Sequence, residues 1–454
     1  MMLAKEIAAA WKRAAVFLLA FVALQLAPSV VAAKASGPDV VLFNNVRIFD
    51  GKGSVLSAPT AVRVKGKVIE VIGSEAKNGL PANALIIEGN GRTLMPGLID
   101  AHTHLLYTIV PQAAILTADL GYLNVAATKA AEEMLMRGFT SVRDVGGPVF
   151  GLKKGIDAGL VPGPRIWPSG LSISQTGGHG DFRMPNEVAA DTHSHAEMLG
   201  AVADSPEGVQ LAVRQQLALG ASQIKLMAGG GVSSPFDPLD VTQYSPAEMR
   251  IAVETAANWG TYVTVHAYTP RAVRQAVEAG VKSVEHGHLI DEPTAKLMAE
   301  RGTWIVLQAF LDDEDAVPFP SGSAARVKQF KMIEGTDGAY RLARKFGVRV
   351  GWGSDTLFDV KLATRQGAQL AKLARWFTPA EVLKIATGDN AQMLGLSGLR
   401  SPYMGRIGVI EAGALADLLL VDGDPTAHLD LIADPDKNFL IIMKDGAIYK
   451  NSLP

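Results

Sequence analysis

Two histidines separated by one residue end an apolar run of the sequence, in the segment GLIDAHTHLLY. Alternate side chains of a β-strand point to the same face, so His102 and His104 project together, as two ligands of one metal ion must. Taken alone, such a pair is more often two ordinary surface histidines at the end of a strand. Whether it marks a metal site therefore depends on the other polar residues of the chain.

Further residues that bind metals or transfer protons lie at the ends of other apolar segments. They are Asp144, Lys225, His266, His286, His288 and Asp355. The lysine lies inside the segment QIKLMAGGG and is the hardest to explain, because a buried ammonium is unstable unless it is paired or chemically altered. Asp144 could cap a helix and His288 could belong to a loop, but together the residues predict a metal site. The chain contains no cysteine, so the ligands must be nitrogen and oxygen atoms.

The candidate residues end short apolar segments that alternate with helical stretches. Eight segments predict β-strands: GLIDAHTH, TSVRDV, PRIWPSG, SQIKLMAGG, YVTVHAY, KSVEHGH, WIVLQAF and RVGWGSD. This alternation predicts an α/β fold, a (β/α)8 TIM barrel at residues 97–403, in which functional residues lie at the C-terminal ends of the strands. An open doubly wound sheet is the alternative, but no GxGxxG or GxxxxGK(S/T) motif follows any segment.

The two flanks of the barrel segment have a different pattern. Residues 36–96 and 404–454 alternate apolar and polar side chains between turns, as in DVVLFNNVRIFDGKG and FLIIMKDGAIYK. A period of two residues is typical of short antiparallel strands. Because the two flanks resemble each other, we expect the chain ends to form two halves of one small β-sandwich domain.

The start of the chain, residues 1–35, is typical of a secretory signal peptide. Basic residues precede the apolar stretch AAVFLLAFVALQLA, and small residues follow it. A membrane anchor is the alternative, but roughly 20 apolar residues are needed to span a bilayer, and this stretch is shorter. We expect cleavage near Ala33 or Ala35 and export of the protein, to a bacterial periplasm or out of the cell.

The net charge and composition of the chain indicate which kinds of molecule it could bind. The net charge is -2 and no sustained basic block is present, so nucleic acid is not an expected partner. We expect a small-molecule substrate and no membrane association after removal of the signal peptide, and the sequence leaves a homo-oligomer open.

Several motifs together resemble the amidohydrolase superfamily of metal-dependent hydrolases. They are GLIDAHTH, a lysine ending the fourth strand, histidines in the fifth and sixth strands, GSD in the eighth, and the return strand GALADLLLVDGDP. The resemblance implies a site for two divalent metal ions, with zinc expected and manganese or iron left open. His102, His104 and Asp355 would bind the more buried ion, and His266 and His286 the more exposed one.

The resemblance also implies a mechanism. Lys225 would be carboxylated by CO2, giving a carbamate that bridges both metals and removes the buried ammonium. Water shared by two metals loses a proton near neutral pH, so hydroxide could attack an amide, with Asp355 carrying the proton to the leaving nitrogen. A further group should stabilise the oxyanion, and the candidates are His179, in SQTGGHGD, and Tyr268, in HAYT.

The segments SQTGGHGD, IKLMAGGGVSSP and VEHGHLID are most similar to a branch of zinc dipeptidases and carboxypeptidases of the Xaa-Pro dipeptidase type, which is related to imidazolonepropionases. The resemblance implies hydrolysis of an amide next to a free carboxylate, in dipeptides, N-acyl amino acids or ochratoxin-type N-acyl phenylalanines. The alternatives are hydrolysis of a cyclic amide or lactone, as by an imidazolonepropionase, and a non-catalytic scaffold. Because all six implied ligands are present, we expect an enzyme.

Four further features of the sequence concern the site and its surroundings. Some relatives place a tyrosine directly before the fifth-strand histidine, where this chain has Val265, so the oxyanion role would fall to Tyr268 or His179. Arg183 and Arg143 are candidates for binding the substrate carboxylate. The second histidine pair, in DTHSHAE, follows no apolar strand and is predicted not to bind metal, while GGGVSSPFDP predicts a mobile loop above the fourth strand.

Overall fold

In the computed structural model, the described residues are 39–184, 187, 199–234 and 236–453. The predicted signal peptide and the second histidine pair, His193 and His195, lie outside these residues. In this part of the chain, no helix combines the length and the apolar character that crossing a membrane requires.

The strands alternate with helices through the middle of the chain and cluster at its two ends. Within the described residues, the strands are β1 (Val40–Ile48), β2 (Thr60–Lys65), β3 (Val68–Ile72), β4 (Leu85–Glu88), β5 (Thr93–Pro96), β6 (Leu98–Thr103), β7 (Phe139–Asp144), β8 (Arg165–Pro168), β9 (Ser172–Ser174), β10 (Gly200–Val202), β11 (Ile224–Met227), β12 (Val263–Ala267), β13 (Ser283–His286), β14 (Trp304–Leu307), β15 (Val350–Trp352), β16 (Leu418–Val421), β17 (Phe439–Lys444) and β18 (Ala447–Asn451). Over the same ranges, the α-helices are α1 (Gln112–Ile115), α2 (Leu120–Met136), α3 (Phe150–Asp157), α4 (Pro206–Ala218), α5 (Pro246–Asn258), α6 (Pro270–Ala279), α7 (Glu292–Arg301), α8 (Ala324–Phe346), α9 (Val360–Thr364), α10 (Gln366–Ala371), α11 (Pro379–Lys384), α12 (Asn390–Leu394), α13 (Asp430–Ala433) and α14 (Pro435–Asn438).

Helices α4 to α7 begin at side chains that accept hydrogen bonds from their free N–H groups. The capping residues are Ser205, Ser245, Thr269 and Asp291, and each helix has a proline in its first turn. These caps fix where each helix begins and therefore where the loop after the preceding strand ends. Several of these loops carry candidate site residues.

Strands of the two chain ends share one sheet. Its order is β18-β17-β16-β5-β1-β2-β3, with β4 also paired to β1. Strand β5 lies antiparallel to β16, with Thr93 opposite Val421, and so joins the N-terminal strands to the C-terminal ones. Apolar side chains from both ends, such as Phe43 and Leu420, pack in a common core. The expected small β domain therefore contains strands from both flanks.

The middle of the chain is a mixed α/β fold with parallel strands, as predicted. All eight predicted segments form strands, and they lie in two parallel sheets, β6-β7-β8 and β10-β9-β11-β12-β13-β14-β15. The sequence did not predict β9 and β10, which are three residues each. Every residue of β6, β7 and β11 to β14 is buried, as expected for parallel strands covered by helices.

Hydrogen bonds connect the edges of the two parallel sheets. The Ser222 N–H, before β11, donates to the Pro168 carbonyl at the end of β8, at 2.7 Å. The Asp355 N–H, after β15, donates to the His102 carbonyl in β6, at 2.9 Å. The C-terminal ends of these parallel strands therefore lie on one side of the fold, which is where the candidate residues meet.

Candidate active site

The residues at the ends of β6 and β15 form a group that can hold a metal ion. Ligand atoms of His102, His104 and Asp355 all lie within 4.8 Å of one another. One carboxylate oxygen, Oδ1 of Asp355, is 3.2 Å from His102 Nε2 and 3.5 Å from His104 Nε2. Burial alone would raise the pKa of Asp355, but the two histidines hold it well below its usual range, so the group is a carboxylate.

Close backbone packing brings β15 and β6 together at this group. A Cβ atom on Gly353 would lie 2.2 Å from the His102 backbone nitrogen, so only glycine fits there. Beside it, the Ser354 hydroxyl donates to Asp100 Oδ2 at 2.6 Å, and Asp100 Oδ1 accepts the His102 N–H at 3.0 Å. Asp100, which the sequence analysis did not single out, therefore helps to align the two strand ends.

Each histidine of β6 has one ring nitrogen bound to a protein acceptor. His102 Nδ1 is 2.7 Å from Glu285 Oε2, and His104 Nδ1 is 2.9 Å from the Gly146 carbonyl. A carbonyl or carboxylate can only accept, so Nδ1 carries the hydrogen in both rings and Nε2 is free to bind a metal. Burial lowers the pKa of His104, which keeps this ring in the neutral form that metal binding requires.

The histidines of β12 and β13 show the same division of roles. His266 Nε2 is 3.1 Å from the Gly230 carbonyl, which leaves Nδ1 for a metal. His286 Nδ1 is 2.9 Å from Gln308 Oε1, which leaves Nε2. Burial holds the pKa of both rings well below its usual value, so both are neutral. Burial does not separate the two pairs into a buried and an exposed set, because His266 and His286 are as enclosed as the pair of β6.

The four rings and Asp355 lie close together. The ring centres of His102 and His286 are 5.0 Å apart, and those of His266 and His286 are 4.6 Å apart. His286 Nδ1 is 3.9 Å from Asp355 Oδ2. Imidazoles and a carboxylate at these distances fit the nitrogen and oxygen ligands that divalent zinc prefers.

Lys225 lies in the middle of β11, where Thr264 and Ser283 are its neighbours at the same level of β12 and β13. It is 2% exposed, and its ammonium makes no hydrogen bond or ion pair with any described residue. Burial lowers its pKa to about 8. The buried, unpaired amine is therefore more readily deprotonated than an exposed lysine.

A buried ion pair behind His102 was not predicted from the sequence. Glu285 Oε1 accepts from Arg143 Nη2 at 2.6 Å, while Oε2 faces His102. Arg143 also donates to the Ala101 carbonyl at 2.6 Å and to the Tyr262 hydroxyl at 3.2 Å. Because its side chain is fully buried and all three of its nitrogen atoms donate to protein groups, Arg143 supports His102 and is not placed to bind a substrate carboxylate.

Both residues predicted to stabilise the oxyanion lie beside the histidines of β12 and β13. The His179 ring stacks on His266 at 4.1 Å, and the Tyr268 ring stacks on His286 at 4.9 Å. Burial lowers the pKa of His179 to about 3 and holds the pKa of Tyr268 well above its usual value. Both side chains are therefore neutral, and each retains one hydrogen to donate.

Arg183 lies against a carboxylate of its own loop. Its Nε and Nη2 atoms donate to the two oxygens of Asp181, each at 2.8 Å, and Nη2 also reaches the Thr176 hydroxyl at 3.2 Å. This pairing accounts for much of the hydrogen-bonding capacity that the predicted substrate carboxylate would need. Asp181, two residues before Arg183 in the sequence, was the signal that could have indicated this ion pair.

The structure also locates Asp144 and His288. Asp144 does not cap a helix: its oxygens accept the Leu105 N–H at 2.8 Å and the Gly146 N–H at 3.2 Å, and burial raises its pKa to about 7. His288 donates from Nε2 to the Gln308 carbonyl at 3.1 Å, and its ring centre is 6.3 Å from that of His286. Both residues thus support the loops and rings of the site.

Known proteins resemble this chain over nearly its whole length. The profile of the Amidohydrolase family matches residues 93–449. Ochratoxinase of Aspergillus niger is 30% identical, over 94% of this chain and 90% of its own length, and imidazolonepropionase of Ectopseudomonas mendocina is 26% identical, over 90% and 97%. A crystal structure of a prolidase complexed with N-methylphosphonate-L-proline is 34% identical, covers 91% of this chain and all of its own, and superposes with a TM-score of 0.82.

These matches confirm the resemblance found in the sequence. The family generally uses divalent metals, and the group of His102, His104 and Asp355 supplies metal-binding atoms where the strands end. The chain therefore belongs to the amidohydrolase family and is a hydrolase that acts on carbon–nitrogen bonds.

Proposed function

We propose that the protein hydrolyses an amide bond next to a free carboxylate, in a dipeptide or an N-acyl amino acid, including N-acyl phenylalanines of the ochratoxin type. The observation that carries this proposal is the meeting of His102, His104, His266, His286 and Asp355 at one end of the parallel strands. The relatives support the substrate class. One is named ochratoxinase, and another binds a phosphonate attached to L-proline, which has a free carboxylate.

Two divalent ions, with zinc the expected metal, would be held by this set. His102, His104 and Asp355 would bind one ion, and His266 and His286 the other. Lys225, once carboxylated, would lie between them, and its lowered pKa of about 8 favours the neutral amine that reacts with CO2. When bound, the ions supply Lewis-acid catalysis for attack of water on the amide.

The protein's own residues would move the protons and stabilise the developing charge. Asp355 is a carboxylate whose Oδ1 faces the histidines of β6, so Oδ2 is the atom that would accept the proton of the attacking water and pass it to the leaving nitrogen. Tyr268 and His179 are neutral and lie beside His286 and His266, where either could donate a hydrogen bond to the oxyanion.

We also propose that β6–β8 and β11–β15 close into an eight-stranded barrel. The hydrogen bond from Ser222 to Pro168 supports closure between β8 and β11, and that from Asp355 to His102 supports closure between β15 and β6. The loops that follow the strands would then surround the site at the C-terminal ends of the strands.

We further propose that residues 1–35 are a cleaved signal peptide and that the enzyme works in a bacterial periplasm or outside the cell. N-terminal sequencing of protein from the periplasmic fraction should give a start near residue 34 or 36. An intact N-terminus in the cytoplasmic fraction would contradict export.

A substrate screen on the zinc-loaded enzyme tests the function. Dipeptides and N-acyl amino acids should be hydrolysed, whereas the same compounds with the carboxylate converted to a primary amide should react much more slowly. Asp355→Asn serves as the matched inactive control for contaminating peptidases. The imidazolonepropionase relative favours cyclic amides or lactones as a second candidate class, and turnover of these rings without any linear amide would establish that class instead.

A further inference from the structure

The loop after β11 is organised around one buried carboxylate. Asp237, which is 2% exposed, accepts the Gly231 N–H at 2.9 Å and a Gln243 side-chain N–H at 3.1 Å, both on Oδ2. The Ser234 hydroxyl donates to the other oxygen, Oδ1. Lys328, on α8, holds the same loop through its carbonyls, including that of Asp237 at 2.6 Å. The carboxylate is therefore held in one place by the loop around it.

This carboxylate faces a ring nitrogen that has no partner. His179 Nδ1 is buried and makes no hydrogen bond with any described residue, and Asp237 Oδ2 lies 3.7 Å from it. Gly231 permits the approach, because a Cβ atom there would lie 2.0 Å from Nδ1 and 1.9 Å from Cε1 of the ring. Gln243 links the two residues again, since its Oε1 accepts the His179 backbone N–H at 3.2 Å.

The distance between His179 Nδ1 and Asp237 Oδ2 is close to that of a hydrogen bond. At 3.7 Å the contact is slightly longer than a hydrogen bond, and catalytic hydrogen bonds that are long without substrate often shorten when the substrate binds. A buried ring nitrogen and a buried carboxylate both gain from pairing, because each is otherwise left with unmet hydrogen-bonding capacity. Burial raises the pKa of Asp237 to about 7, but Oδ2 accepts two N–H groups, from Gly231 and Gln243, so this oxygen is an acceptor in the geometry of the loop.

We propose that Asp237 is a positioning residue that accepts the Nδ1 hydrogen of His179 and thereby fixes the ring with a bare Nε2. This inference rests on the proposed amide hydrolysis and refines it. A neutral ring that gives its hydrogen to Asp237 has none left for the oxyanion, so Tyr268 is the donor to the oxyanion. His179 Nε2 then accepts a hydrogen from the substrate.

A double-mutant cycle tests whether Asp237 acts through His179. Asp237→Ala removes the acceptor, whereas an asparagine would keep its carbonyl oxygen toward the Gly231 and Gln243 donors and therefore toward His179. We expect Asp237→Ala to lower kcat/KM by about 10- to 100-fold, the range typical of groups that orient metal-binding histidines. In the His179→Asn background, the same substitution should change kcat/KM less than about threefold. Ser234→Ala, which removes a hydrogen bond to Oδ1 but leaves Oδ2, is the control for loop damage and should stay near the wild-type rate.

A measurement that needs no turnover tests the hydrogen position. In 15N-histidine-labelled, zinc-loaded protein, the two His179 signals, assigned by their loss in His179→Asn, should show hydrogen on Nδ1 and none on Nε2. Asp237→Ala should move the hydrogen to Nε2, whereas Asp237→Asn, which keeps an oxygen toward His179, should leave it on Nδ1. A hydrogen on Nε2 in the wild type, or losses that multiply in the double mutant, would overturn the inference. If no amide is hydrolysed at all, the spectra still decide the position of the hydrogen.

Discussion

Replacing Glu285 by glutamine should impair both metal binding and stability. In the native protein, Oε1 accepts from Arg143 at 2.6 Å, from Ser283 at 3.0 Å and from the Thr264 hydroxyl. Among the described residues, Oε2 accepts only from His102, at 2.7 Å. A glutamine would keep its one carbonyl oxygen toward the three donors. Its NH2 group would then face His102 Nδ1 and require a bare nitrogen there.

The consequence for the metal follows from the imidazole itself. A neutral ring that is bare at Nδ1 carries its hydrogen on Nε2, the atom that lies 3.2 Å from Asp355 and would bind the metal. Substitutions of groups that orient a metal-binding histidine typically weaken metal affinity by about 10- to 100-fold. That range corresponds to about 1.4–2.7 kcal/mol of binding free energy.

The stability loss has a separate origin. Arg143 and Glu285 are both fully buried, and Glu285→Gln leaves the guanidinium without its counter-ion. Removing one partner of a buried ion pair typically costs about 3–5 kcal/mol of unfolding free energy, a large share of the roughly 5–15 kcal/mol of a whole domain. Denaturant unfolding of the metal-free protein measures this loss without any contribution from bound zinc.

The assays are zinc affinity, measured by competition with a chromophoric chelator, and urea unfolding of the metal-free protein. Glu300→Gln is the matched control, because Glu300 is exposed and its ion pair with Lys296 is long, at 4.0 Å. It should change the free energies of zinc binding and of unfolding by less than about 0.5 kcal/mol each. Unchanged zinc affinity in Glu285→Gln would refute the argument that Glu285 sets the hydrogen position in His102. Unchanged unfolding would refute the argument about the buried ion pair.

Three further substitutions test the rest of the site. Lys225→Ala should lower the zinc content, measured by mass spectrometry, and added short carboxylic acids should restore part of it; an unchanged zinc content would exclude a bridging carbamate. Asp355→Asn should lower kcat by at least about 100-fold, because proton transfer by a positioned side chain contributes about 10²–10⁴-fold, and near-normal turnover would remove Asp355 from that role. Gly231→Ala should displace the His179 ring and lower kcat/KM. Gly229→Ala should leave kcat/KM unchanged, because the added Cβ would come no closer than 3.4 Å to another atom. Equal kcat/KM values for the two variants would contradict the packing argument.

Strand periodicity predicted the polar ends of the strands but not the contacts behind them. Apolar segments flanked by helices indicated the parallel strands, and parallel strands bring their C-terminal ends to one side, so His102 and His266 could be placed together. Strands β9 and β10 are too short to show a period of their own. Glu285 and Arg143 could not be paired from the sequence, since they are 142 residues apart and neither has a recognisable motif.

Alternation along a strand fails at the end of β13, at a residue that belongs to the site. Consecutive residues of a strand point to opposite faces, so Glu285 and His286 should not both face the metal ligands. His286 has a φ of 74°, a left-handed conformation that residues other than glycine rarely adopt, and this turn of the backbone directs its ring to the same group that Glu285 supports.

The same departure occurs where β15 ends. Asp355 has a φ of 48°, and it follows Gly353 and Ser354, which pack against the β6 backbone and Asp100. A left-handed residue that is not glycine costs of order 1–3 kcal/mol and persists only where its surroundings fix it, which is common at functional sites. His286 and Asp355 are both left-handed and lie 3.9 Å apart, so two of the residues that would bind the metals carry such strain. A sequence rule based on regular strands cannot find such residues by alternation, since the chain departs from the regular strand at the positions that perform the chemistry.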